Sequence, residues 1–224
     1  MIPWIKNVSF FAELSEESIL RIADISEMVT YHSDQQIFKE GDDPDSLYII
    51  ISGQVIIEKE FKEQKRKKTL AILEPGDFFG EMGLITLSKR SASAVTMEDS
   101  ALIKIEKDNF RDVLQNNSHL CFEILQVICH RLKEADDEIE NLAFQNLPGR
   151  IALKLVDLAD QFGVHNENEL YIKLDLTHSD LSDMVGTNRE TISKYMSIFK
   201  KEGCIDYVDQ RIFIKDMNKL MSWA

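Results

Sequence analysis

Between Asp108 and Gln145 the chain runs without a proline or a glycine. No other stretch of this length limits the fold so strongly, because nothing in it breaks a helix. Within it Cys121, Leu125, Ile128, Leu132, Ala135, Ile139 and Leu142 recur in alternating steps of four and three. Glu134, Asp137, Glu138 and Glu140 fall off that line. An apolar seam this narrow is the mark of two helices pairing, whereas a helix lying along its own domain shows a wider stripe. The spacing therefore predicts a long helix over 108–146 that pairs two copies of the chain through Leu125, Ile128, Leu132, Ala135, Ile139 and Leu142. Burial of that helix along its own domain is the alternative.

The pattern before this helix is different. Ser15 is placed to cap a helix through "SEESILRIADISEMV", with Ile19, Ile22, Ala23 and Ile25 on its apolar face. From Tyr31 to Ile105 the chain offers short β-type runs: "QIFKEG", "SLYIIISG", "QVIIEKEF", "KTLAILEPG" and "SALIKI". Turn residues punctuate them, as in an antiparallel sandwich or roll. "KEQKRKK" reads as a solvated hairpin tip.

After the long helix, "NLPGR" supplies the break that separates a third segment. The expected organisation is 1–107, 108–146 and 147–224, an α+β chain. In the last segment "RIALKLVDLADQFG" is amphipathic. Thr177 then caps a short helix with Leu181, Met184 and Val185 inward, and Gly186 turns the chain. A second helix from Asn188 to Glu202 buries Ile192, Tyr195, Met196 and Phe199. Two short helices about a glycine turn form a helix-turn-helix, and "CIDYV" with "RIFIK" adds a wing. The outer face of the second helix carries Asn188, Arg189, Glu190, Ser193 and Lys194. Arg and Lys donate to guanine O6 and N7, and Glu accepts from cytosine N4, so this face can read a major groove. The bland alternative is a solvated surface with an i,i+4 Glu190–Lys194 pair, worth about 0.3 kcal/mol.

Charge supports a division of labour. The formal charge is −13, but from Leu147 onward 10 basic residues face 12 acidic ones. The acidity belongs to the first two thirds, so DNA would be read by a few placed cations rather than by a basic coat. Cys121, Cys129 and Cys204 are too scattered for a disulfide framework or a zinc site, and no metal is expected. An N-terminus without a secretory pattern and the lack of any spanning apolar run lead us to expect a cytoplasmic protein without membrane contact. No phosphate-loop, dinucleotide or zinc-protease motif occurs, so no enzyme activity is expected.

"GDFFGEMGLITLSKRSASA", residues 76–94, sets Glu81 and Arg90 among apolar neighbours. Such charges are paired or hold a ligand. Together with "LYIIISGQV", "NLAFQNLPGRIALKLVDLA" and "LSDMVGTNRETISKYM", this stretch resembles the cAMP receptor protein/FNR family of bacterial transcription regulators along essentially the whole chain. The resemblance implies a β-roll (jelly-roll-like) sensor domain, a long dimerisation helix and a C-terminal winged helix-turn-helix. It implies an allosteric homodimer on a palindromic operator, with RNA polymerase as a further partner. Its ligand would be cAMP or a related cyclic nucleotide, with Gly80, Glu81, Met82, Arg90 and Ser91 on ribose and phosphate. Ala135 and Asp136 stand where cAMP-binding relatives place Thr and Ser against the base. Asp136 can accept from adenine N6 or from guanine N1 and N2. For DNA the implied set is Thr177, Asn188, Arg189, Glu190, Ser193 and Lys194, on a half-site that is TGTGA-like or, from "ETIS", TTGAT-like.

Other readings stay open at this stage. One is a structural Glu81–Arg90 ion pair in an orphan roll. Another is a haem or gas sensor using His32, His119 or His130, although an iron–sulfur cluster lacks the cysteines it needs. A third is a nucleotide-responsive module acting on a protein partner.

Overall fold

The computed structural model describes residues 16–61, 66–166, 169–208 and 211–224. Ser15, most of the "KEQKRKK" tip and the turn of the wing lie outside these residues. The chain divides into two compact units, Met1–Arg131 and Leu132–Ala224.

Among the described residues the first unit has helix α1 (Glu16–Asp24) followed by eight strands: β1 (Ser26–Tyr31), β2 (Gln36–Phe38), β3 (Ser46–Ser52), β4 (Val55–Phe61), β5 (Arg66–Leu73), β6 (Phe78–Phe79), β7 (Ser93–Thr96) and β8 (Ser100–Glu106). A one-and-a-half-turn helix, α2 (Glu81–Thr86), interrupts them between β6 and β7. The strands form two antiparallel four-stranded sheets, in the orders β1-β8-β3-β6 and β2-β7-β4-β5. This is the roll expected from the short β-type runs.

Its layering follows from one strand. "SLYIIIS" is apolar at consecutive positions, so both its faces must be covered. Leu47 and Ile49 join Ile103 and Ile105 of β8 in a core closed by Ile19, Ile22, Phe110, Leu120 and Ile124 from helices. Tyr48 and Ile50, one residue out of step, join Leu102, Val55, Phe79 and Ala94 in a second core. β3 is thus shared by both.

Three expectations for this region need correction. The first helix ends at Asp24, and Ser26–Val29 belong to β1, paired in register with β8 from Ser26↔Ile105 to Tyr31↔Ser100. Tertiary pairing overrides the local helical pattern there. β6 and β7 are strands that the sequence gives no separate signal for. The long helix is two: α3 (Lys107–Gln115) and α4 (Ser118–Phe144). Asn116 leaves helical geometry at φ −105, and the Asn117 side chain accepts from the Leu120 N–H at 3.1 Å. Asparagine side chains compete with the backbone ladder in this way, so a helix can stop without Pro or Gly.

α4 also carries two stripes rather than one. Leu120 and Ile124 are buried on the roll and Val127 packs beside them. Leu125, Leu132, Ile139 and Leu142 remain 57%, 61%, 64% and 49% exposed. Ile128 is split off from the seam, half-buried against the roll.

The second unit begins within α4 and continues with α5 (Leu147–Phe162), β9 (Gly163–Asn166), β10 (Glu169–Ile172), α6 (His178–Val185), α7 (Arg189–Lys201), β11 (Ile205–Val208), β12 (Arg211–Ile214) and α8 (Met217–Met221). "NLPGR" does not stay in a linker. Asn146 caps α5 by accepting from the Gly149 N–H at 2.9 Å, and Pro148 sits in the first turn, where its missing N–H costs nothing. Beyond α5, β9 and β10 pair antiparallel, from Gly163↔Ile172 to Asn166↔Glu169. With the wing they make a four-stranded sheet in the order β11-β12-β10-β9. α6 and α7 bury Leu181, Met184, Val185, Ile192, Met196 and Phe199 around Gly186 at φ +75, whereas Tyr195, expected with them, is only half-buried.

Because Ile103 is fully buried where β8 meets β3, Ile103→Ala should cost about 2–5 kcal/mol. Urea unfolding of the first unit's transition checks this. Asn117→Ala should cost about 1 kcal/mol through loss of the α4 cap.

Candidate functional site

Glu81 and Arg90 are both buried, at 3% and 4% exposure, but they do not answer each other. Gly80, in the left-handed region at φ +87, turns the chain from β6 into α2 and sets Glu81 in its first turn. There the partial positive charge of the free amides favours a carboxylate. Glu81 Oε1 accepts from Arg131 Nη1 at 3.0 Å. Arg131 Nη2 donates to the Phe78 carbonyl at 2.6 Å, and its guanidinium lies 5.1 Å from the Phe78 ring centroid. Arg131 continues the buried stripe of Leu120, Ile124 and Val127 on α4, and that periodicity is the sequence signal that could have found it.

Arg90 turns the other way. Nη1 donates to the Gly80 carbonyl at 2.7 Å, and Nη2 to the Ser46 carbonyl at 2.7 Å and to Asp45 Oδ1 at 3.1 Å. Its Cζ stands 4.1 Å from the centroid of the Phe38 ring. The arginine's own backbone is pinned as well: its N–H reaches the Asp42 carbonyl, and its carbonyl takes the Gly41 N–H. Nε is buried with no partner among the described residues. Its one carboxylate partner, Asp45, is 67% exposed at the side chain. The guanidinium charge is therefore incompletely matched, and a second anion would complete it. The proposed Glu81–Arg90 ion pair is replaced by two separate pairs, Glu81–Arg131 and Arg90–Asp45.

The other cassette residues sort as follows. Met82 is 53% exposed, and the exposed Ser91 hydroxyl lies 3.6 Å from its sulfur. Gly80 is demanded by space as well as by φ, since a Cβ there would stand 2.6 Å from Arg90 Nη1 and 3.1 Å from the Ser46 carbonyl oxygen. Ala135 and Asp136 are exposed on α4 in the second unit. Tyr48, stacked 5.4 Å from Phe79, has its phenol pushed well above the usual range by burial, then by Tyr31 and Asp45.

In the second unit the helix caps use two of the expected DNA contacts. Thr177 and Asp180 form a capping box on α6, and Asn188 Oδ1 accepts from the Thr191 N–H at 2.8 Å on α7. Arg189, Glu190 and Lys194 are exposed together on α7. The alternative Glu190–Lys194 ion pair is not formed. Lys194 Nζ instead lies 5.3 Å from the Tyr195 ring. Ser193 is half-buried, its hydroxyl 2.8 Å from His178 Nδ1. His178 Nε2 lies 3.1 Å from the Tyr207 hydroxyl, and neither His178 nor Tyr207 was singled out from the sequence.

Among the described residues no group of three His, Cys, Asp or Glu side chains could hold a metal ion. Burial pushes the Cys204 thiol up, as for an inert core cysteine. No helix among them is long and apolar enough to cross a membrane.

Residues 28–117 match the model of the cyclic nucleotide-binding domain, and residues 149–223 that of the Crp-like helix-turn-helix domain. The chain is 30% identical over 201 residues to the cyclic AMP receptor protein of Thermus thermophilus, covering 89% of each chain. It is 28% identical over 214 residues to a CRP-like cAMP-activated global transcriptional regulator of Mycobacterium tuberculosis, covering 96% of this chain and 95% of that one. Its fold matches a CooA mutant from Carboxydothermus hydrogenoformans with a TM-score of 0.80 at 24% identity, over 97% and 95% of the two chains.

Two outcomes follow from the geometry. Gly80→Ala forces a Cβ into both the left-handed region and the Arg90 side chain, and should destabilise the first unit by at least about 1–2 kcal/mol on urea unfolding. Burial alone pushes the Tyr207 phenol up to about 12. A raised acid pKa favours the protonated form, so this contribution to stability is complete below the unfolded value of about 10 and is lost as pH rises towards 12. A tyrosinate absorbance titration should lose its step near 12 in Tyr207→Phe.

Proposed function

We propose, from the premise that this chain belongs to the cAMP receptor protein/FNR family and is an effector-responsive, DNA-binding transcription regulator rather than an enzyme, that its effector is a purine cyclic nucleotide held by Glu81 and Arg90. The buried and under-neutralised Arg90 guanidinium carries this reading. With Nη1 and Nη2 on protein acceptors it is rigidly oriented, and its remaining donor capacity suits a singly charged cyclic phosphate. Glu81 Oε2 has no protein partner among the described residues, which suits a ribose 2′-hydroxyl. Met82 and Ser91 flank the same cassette, and the Ser91 hydroxyl adds a donor for the phosphate.

Arg131 supplies the link to the rest of the molecule. It shares Glu81 with the ligand and stands on α4, the helix whose exposed Leu125, Leu132, Ile139 and Leu142 support pairing with a second copy. A ligand that changes the Glu81–Arg131 bond acts on this helix, and shifts the population of DNA-binding arrangements by its differential affinity for them. Asp136 is the base reader in this scheme. Its carboxylate accepts one proton from adenine N6 or two from guanine N1 and N2, so cGMP competes with cAMP as the effector. Ala135 reads nothing through its side chain.

The DNA site is a palindrome with half-sites about one helical turn (~34 Å) apart. Arg189, Glu190 and Lys194, exposed on one face of α7, read a TGTGA-like core. RNA polymerase is the downstream partner, and run-off transcription on that operator tests it.

Calorimetric titration of the dimer with cAMP and with cGMP decides the effector. Arg90→Ala should abolish binding of whichever nucleotide binds the parent, with the urea midpoint of the first unit still measurable. Unchanged binding would mean that the phosphate is held elsewhere. Arg189→Ala should cost about 1–3 kcal/mol on the specific operator and relax preference at one base pair. A uniform loss on all sequences would make it a phosphate contact.

A further inference from the structure

α7 bears four polar side chains on the face assigned to DNA, and one of them behaves unlike the rest. Arg189, Glu190 and Lys194 extend into solvent, whereas the Ser193 hydroxyl is held at 2.8 Å by His178 Nδ1. His178 is the first residue of α6. Its other ring nitrogen is held at 3.1 Å by the hydroxyl of Tyr207 on β11, with the two rings tilted at a centroid distance of 6.2 Å. One unbroken hydrogen-bond chain, Ser193–His178–Tyr207, thus ties the reading helix, the preceding helix and the wing. A second tie lies towards the other end of α7: Lys200 pairs with Asp206 of β11 at 2.8 Å and lies 5.8 Å from the Tyr207 ring. That pair is exposed, and exposed pairs hold geometry weakly. The half-buried chain through His178 is the stiffer tie.

The chemistry of the chain restricts what Ser193 can do. A neutral imidazole donates from one nitrogen and accepts at the other. Either Ser193 gives its proton to Nδ1 while Nε2–H is given to Tyr207, or both bonds run the opposite way. Burial keeps the Tyr207 phenol protonated through the physiological range, so it can serve at either end of this order. A base edge could recruit the serine hydroxyl fully only by taking it from the ring, at the cost of a formed bond.

We propose that His178 and Tyr207 are specificity-determining positioning residues of the DNA-reading surface: through Ser193 they fix the rotation of α7 against the wing and withdraw the serine hydroxyl from base reading. Base identity is then read by Arg189, Glu190 and Lys194, and the chain sets the angle at which they enter the groove. This rests on the reading of α7 proposed above.

The test compares affinities of the full-length dimer for its selected operator and for a scrambled duplex, by fluorescence anisotropy at one salt concentration. Ser193→Ala should lower the specific-to-nonspecific ratio by about fivefold, the effect of one lost hydrogen bond, and His178→Phe, which removes both bonds of the ring, by at least as much. The double variant should lose no more than His178→Phe alone, with the loss shared evenly over the half-site. His178→Asn, whose amide can replace Nδ1 towards Ser193, should regain most of it. In the free protein, the ring-nitrogen shifts of His178, assigned by its absence in His178→Asn, should move in both Ser193→Ala and Tyr207→Phe. Loss of preference at one base pair in Ser193→Ala with no change in His178→Phe would overturn the proposal, as would additive losses or unmoved ring shifts. Arg189→Ala separates the two levels. If it keeps full base preference, the assignment of α7 itself fails. If it loses preference while the chain variants match the parent, the inference about His178 alone fails.

Discussion

β3 is the constraint on which the first unit depends. Its run of apolar residues cannot leave either face in water, so Leu47 and Ile49 commit to a core closed by helices while Tyr48 and Ile50 commit to one between the sheets. The same strand begins at Ser46, whose carbonyl receives the Arg90 guanidinium, and follows Asp45, whose carboxylate balances part of its charge. Fold and site are therefore fastened at one place. An arginine at this depth stays in position only because a rigid strand presents acceptors to it, and the strand is rigid because both its sides are packed.

The two units solve the same problem differently. In the first unit a buried charge is held under-neutralised, which favours an anionic ligand. In the second unit the charges of the reading helix stay in solvent, while Arg150, part-buried with its Nε unpartnered among the described residues, is the exception. Thr177, Asn188, Ser193, His178 and Tyr207 are all spent on caps and ties that hold α6, α7 and β11 together. Arg189, Glu190 and Lys194 are left free to meet a partner. A surface that recognises by geometry needs both kinds of residue, since an exposed reader is only as specific as the frame that aims it.

Much of this was legible in the chain. The alternation and punctuation of residues 31–105 told of a roll, and the spacing about Gly186 told of the helix pair. The inward residues of both helices followed from their period. Less was legible wherever a partner distant in sequence decided the outcome. Ser26–Val29 carry a helical pattern but become strand because β8 offers them a ladder. Asn116 and Asn117 divide a stretch that has no Pro or Gly, because their side chains replace the backbone partners of the helix ends. In the cassette, Glu81 and Arg90 were visible as charges in apolar company that are paired or hold a ligand, but their separate partners were not. Asp45, one acid of three in "GDDPD", bears no local mark of its role, and Arg131 is marked only by continuing the stripe of Leu120, Ile124 and Val127.

What the sequence by itself determined is the kind of protein this is: the periodicities, the turn residues and the order of motifs are local properties, and they suffice for a roll, a long helix and a winged helix-turn-helix. The tertiary structure alone decided which charge meets which. Glu81 is nine residues from Arg90 and fifty from Arg131, yet bonds the distant one, because α4 lays its buried stripe on the roll and brings Arg131 to the start of α2. Ser193 is likewise a plausible reader in sequence and a tied residue in space, because His178 and Tyr207 reach it from two other elements. A hydrogen bond is specified by distance and direction, and for residues far apart in sequence only the packed fold sets those.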